Sequence, residues 1–272
     1  MESSHYAIFP TVEPILLDRD LVCMCILVQL ISMYLMGSLA AIALPVLSPK
    51  VVALPERRQK QLAIAVPVII MKTAVMVLIM DSLMATTAFG RTHVIFHTKP
   101  SMEYRFQVLF FIAISYMFEV LQRPCSAELV LHHLYLQALP LYWWFWLRHR
   151  SPAQTELVTR FFELMVLFGP GATDITSDFT FLFYYCAPRS RSGLQVISGM
   201  SWLAGIMRSL QWIVLSAYGI LKYDIAQTYL SPLEMGVFVL STALWIWTEL
   251  DEILKIRGMV AKFGQSLEQK RL

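Results

Sequence analysis

With 57% of its 272 residues apolar, 15% charged and a mean hydropathy of +0.58, the chain lacks the polar residues needed to cover a soluble globule of this size; its composition is that of a membrane protein. A net charge of +3, spread among loops, gives no footing to nucleic-acid binding. Cys23, Cys25, Cys125 and Cys186 lie in or beside apolar runs, without the spacing of a disulfide framework or a zinc ribbon, and read as buried small apolar residues.

Residues 1–20 form a short polar tail without the basic start of a secretory leader. Residues 21–47 are long enough to cross about 30 Å of hydrocarbon at about 1.5 Å per residue, and predict a spanning helix. The linker that follows carries Lys50, Arg57, Arg58 and Lys60, the basic character of a cytoplasmic loop. Residues 61–89 predict a second span, with Lys72 expected to snorkel towards the basic end. Residues 90–105 are a polar connection; His93 and His97 stand four apart there, and a solvated loop is the expectation. Residues 106–121 and 126–147 are the third and fourth spans. The fourth closes on LYWWFW, whose Trp143 and Trp144 are expected at the membrane interface or around a substrate.

Residues 156–187 are broken by Gly169, Pro170 and Gly171 and make either one kinked helix or two short spans. The next span, 194–221, has Arg208 at its midpoint, where a lone cation needs a carboxylate; Asp174 or Asp178 is the expected partner. The last span, 232–254, ends in Glu249, Asp251 and Glu252, read as a solvated helix end, and 255–272 is a basic tail. The fold expected is therefore all-α: a polytopic integral membrane protein with one transmembrane domain over 21–254 and seven or eight spans. With seven, the loop charges put the amino terminus outside and the carboxyl terminus in the cytoplasm.

One stretch carries most of the chemistry. In residues 115–146, Glu119 and Arg123 stand four apart, so a helix puts them on one face, and Pro124 ends that helix. Glu128 and His132 repeat the spacing, and His133 points about 100° away. Further on, Asp174 and Asp178 share one helical face. There is no GxGxxG, GxxxxGK[ST], HExxH or GxSxG, so no cofactor or metal is expected. What remains is proton transfer by Glu119, Glu128, His132, His133, Asp174 and Asp178. Two neighbouring carboxylates rarely ionise together, so one of the aspartates is expected to keep a proton and to protonate an olefin or epoxide. Aromatic faces would steady the resulting cation. The plainer readings are histidines bonded across helices and aspartates paired with Arg208.

FEVLQRP, a short turn and LVLHHLYLQAL together resemble the signature of TLC-domain membrane proteins, the family of the ceramide synthases. Glu119, Arg123, His132 and His133 carry the match, and FELMVLFGPGATDITSDF and Arg208 are weakly similar to the later helices of that family. The resemblance implies spanning helices around a central lipid-sized cavity with inward histidines, an endoplasmic-reticulum membrane, and either lipid acyl transfer or non-catalytic lipid binding. The longer polar motif that ceramide synthases carry after the histidine pair is replaced here by LYLQALPLYWWFW. In size and in scattered intramembrane carboxylates the chain is also similar to the small terpene cyclases of fungal meroterpenoid pathways. Cofactor-free cyclisation of a prenylated substrate is accordingly the first expectation and acyl transfer the second.

Overall fold

The computed structural model of the chain describes residues 19–86, 102–122, 130, 133 and 152–269. Most of the polar tail, the His93/His97 connection and the fourth span lie outside the described residues, as do Arg123, Cys125, Glu128, His132, Trp143 and Trp144. Among the described residues all regular structure is helical: α1 (Arg19–Leu47), α2 (Pro49–Val52), α3 (Glu56–Thr86), α4 (Met102–Gln122), α5 (Pro152–Val166), a π-helical stretch (Leu167–Asp174), α6 (Ile175–Cys186), α7 (Arg191–Leu221), α8 (Tyr223–Tyr229) and α9 (Pro232–Glu268). Cys23–Leu47, Glu56–Met80 and Arg191–Leu221 are long and apolar enough to cross a membrane, which points to a membrane protein.

The break at Gly169-Pro170-Gly171 resolves as one helix. The backbone stays helical from Pro152 to Cys186, and the turns widen over Leu167–Asp174. Proline has no amide proton to give, and its ring crowds the carbonyl four residues back; widening the turns accommodates both without ending the helix. Helix starts follow side-chain chemistry. Ser190 accepts from the Gly193 amide at 3.0 Å to open α7. Ser231 and Glu234 form a reciprocal capping box at α9, with Pro232 in its first turn. Gly193 has a second duty: a Cβ there would lie 2.8 Å from the Pro188 carbonyl oxygen and 3.1 Å from the Phe263 ring, so only glycine lets α9 approach so closely.

The core is shared by α3, α4, α5 and α7, through Val75, Ile112, Phe161, Phe162, Met165 and Leu215. α1 lies against α3 and α4. Gln29 ties it down by donating to the Phe111 carbonyl at 2.8 Å and the Ser115 hydroxyl at 3.2 Å. On its outer face Leu27, Ile31, Leu35, Leu39 and Ile42 are exposed, a surface suited to lipid. Two sequence expectations change here. Cys23 is exposed and Cys25 and Cys186 are half-buried, all three as free thiols, because they fall outside the faces that pack inward. The final helix runs without interruption past residue 254 to Glu268.

Candidate functional site

Six ionisable side chains, from α3, α4, the π-helical stretch, α6 and His133, meet in the interior, none more than 8% exposed. Lys72 lies on the face of α3 that also carries Val75 and Ile79, both buried in the core. Its ammonium is 2.8 Å from the Asp178 carboxylate and 3.5 Å from that of Asp174, and 5.1 Å from the centre of the Tyr116 ring. The Tyr116 hydroxyl donates to Asp174. The Tyr116 ring lies 4.5 Å from the His133 ring, and His133 Nε2 is 3.5 Å from a Glu119 oxygen.

Helical spacing accounts for the two halves of this group. Tyr116 and Glu119 are three apart on α4, and Asp174 and Asp178 four apart, so each pair shares a face. Stripping water from an isolated ammonium or carboxylate costs several kcal/mol or more, so these charges stay buried only because each sits against another. Chemically the group holds two sets of proton donors and acceptors in contact. Glu119 lies beside an imidazole, the imidazole ring rests at a tilt against a phenol, and the phenol bonds to a carboxylate held by an ammonium.

Three expectations about charge are corrected. Lys72 does not snorkel: it is about 24 Å along α3 from Glu56 at about 1.5 Å per residue, too far for its stem to reach the basic end, so it is buried with the two aspartates. Arg208 does not pair with Asp174 or Asp178. Its guanidinium bridges to Glu249 and lies 3.5 Å from both Glu252 and Gln211, because α7 packs along α9. Glu249 is accordingly no solvated end; it is 2% exposed.

Of the residues singled out in the sequence, Glu119 and His133 come together, Asp174 joins them through Tyr116 and Asp178 through Lys72, and Arg208 makes its bridges to α9. Sequence reasoning missed Tyr116, whose signal was its i, i+3 relation to Glu119. It also missed Glu163, buried and 3.5 Å from Arg160, another i, i+3 pair. A cavity of about 430 Å³ lies between α5, α7, α8 and α9, lined by apolar side chains including Phe161, Leu215, Met235 and Ile246. None of the six ionisable residues lines it, although Phe161, Leu215 and Tyr116 belong to the same buried apolar cluster.

Set against known protein families, curated proteins and solved structures, the chain matches none of them. Function therefore has to be argued from the site.

Proposed function

We propose that the chain is an integral-membrane enzyme that performs cofactor-free acid–base chemistry on a lipophilic substrate, with His133, oriented by Glu119, as the proton acceptor. The observation that carries this reading is the burial of His133 against Glu119 and beside Tyr116, Asp174, Lys72 and Asp178, in a chain with helices of membrane-crossing length. Ionisable groups at such depth are costly, and a functional role is their default explanation. A carboxylate behind an imidazole is the arrangement that makes histidine a general base.

Acyl transfer to a lipid amine or alcohol suits this arrangement better than terpene cyclisation. In acyl transfer His133 takes the proton of the attacking N–H or O–H as its nitrogen or oxygen bonds to the thioester carbonyl carbon. The C–S bond then breaks, and the departing sulfur receives the proton from His133. Cyclisation instead asks Asp174 or Asp178 to deliver a proton to an olefin or epoxide. Both lie on the Lys72 ammonium, so neither is the solitary acid that this step needs. The likeness of FEVLQRP and LVLHHL to TLC-domain proteins supports the same choice. The proposal extends to seven spans: α1, α3, α4, residues 126–147, α5 with α6, α7 and α9, around a lipid-sized chamber in an endoplasmic-reticulum membrane.

The test is thiol release by detergent-purified protein given a long-chain acyl thioester and a long-chain amine. The wild type should release thiol, and His133→Ala and Glu119→Gln should slow it about 10²–10⁴-fold while eluting as folded protein. A wild type that releases none, but cyclises a prenyl epoxide, would reverse the order of the two chemistries. Inactivity towards both would remove the enzyme reading.

A further inference from the structure

Nine of the fifteen lysines and arginines among the described residues fall in three segments towards one end. The last turn of α1, α2 and the start of α3 meet the end of α6, the start of α7 and the last third of α9. Ser48 donates to the Cys186 carbonyl at 2.8 Å, and Lys50 to the Ala187 carbonyl at 2.9 Å. The Arg58 guanidinium lies 5.7 Å and 5.0 Å from the ring centres of Phe181 and Tyr185, and that of Arg189 lies 4.4 Å and 4.2 Å from those of Tyr184 and Phe263. The three segments that meet there, 48–60, 182–196 and 255–268, hold nine basic residues against two acidic ones, Glu56 and Glu268. Glu56 is itself engaged by Lys60 at 2.8 Å.

We propose that this end is a collar that selects anionic phospholipids from the cytoplasmic leaflet. Two features together point to a lipid. The charge calls for an anion, and Arg57, Arg191 and Lys262 are exposed to meet it. The collar borders α1, α3 and α7, whose outward faces bear exposed Val46, Leu47, Ile70 and Val196, so a ligand bound at the charges runs its remainder along apolar surface. Beneath the charges lies a layer of rings, Phe181, Tyr184, Tyr185 and Phe263, the residue types that favour the level where hydrocarbon gives way to head groups. A free anion satisfies the charge but leaves the apolar border uncovered; a phospholipid satisfies both.

The test is the full chain in phosphatidylcholine bilayers carrying a trace of nitroxide-labelled phosphatidic acid or labelled phosphatidylcholine, with the motionally restricted fraction read by electron paramagnetic resonance. Labelled phosphatidic acid should associate about fivefold more strongly at low salt, and the preference should collapse near 1 M salt, where screening acts within about 3 Å. Arg57→Gln, Arg191→Gln and Lys262→Gln combined should lower the ratio towards one, and each alone should lower it partly, which covers a triple variant that fails to fold. Lys222→Gln, at the far end of α7, should leave it unchanged. Equal association of the two lipids with the wild type overturns the proposal. So does a triple variant that keeps the preference, or displacement of the labelled lipid by inorganic phosphate, which would mean a free-anion site.

Discussion

Lys72 and Arg208 are each a single cation buried between two carboxylates, yet their surroundings differ in kind. The Arg208 group takes its direct contacts from two helices: α7 supplies the guanidinium and Gln211, and α9 supplies Glu249 and Glu252. The Lys72 group stays open on one side, continuing through a phenol to an imidazole and a third carboxylate. A paired buried charge is thus no mark of a working site by itself, since pairing answers only the cost of desolvation. What separates the two is the attached tyrosine and histidine, which can pass a proton without carrying a permanent charge.

The sharpest way to break this contrast is Lys72→Met. It strands two carboxylates in the interior and should cost about 3–5 kcal/mol, read as a lowered unfolding temperature and loss of monodisperse protein. Unchanged stability would show that the cation does not hold the aspartates. A smaller effect is expected from Arg208→Met combined with Glu249→Leu and Glu252→Gln, which leaves no carboxylate without its cation. Exchanging buried ion pairs for uncharged groups is often neutral, or stabilising by about 1–4 kcal/mol, so this variant should fold and keep its turnover. Lost turnover in a folded triple variant would erase the distinction between the groups. The smallest effect calibrates the others: Ser231→Ala removes the α9 cap, far from either group in character, and should cost about 1 kcal/mol in thermal unfolding with activity intact.

Composition and run length were enough to read an all-helical chain with helices of membrane-crossing length, because burying backbone in lipid leaves few alternatives. Glu119 and His133 were both singled out from the sequence, but their direct contact was not: the pairings read there were Glu119 with Arg123 and Glu128 with His132. Partners on separate helices were not legible. Lys72 and Asp174 are 102 residues apart, and nothing in either helix says which neighbour it faces. α1 and α3 are apolar nearly all round, so periodicity gives no inward side from which to infer contacts. Arg208 illustrates the limit. That a mid-helix cation must find a carboxylate was sound, but choosing Glu249 over Asp174 required knowing that α9 runs along α7.

The widened turns at Leu167–Asp174 act as a phase setter. One residue more or fewer in that stretch rotates everything downstream by about 100°. The azimuth of Asp174 and Asp178 towards Lys72 is therefore set in part by the turns that precede them. A single deletion between Phe168 and Ala172 would dial both carboxylates away from their counterion while leaving every residue of the site in place.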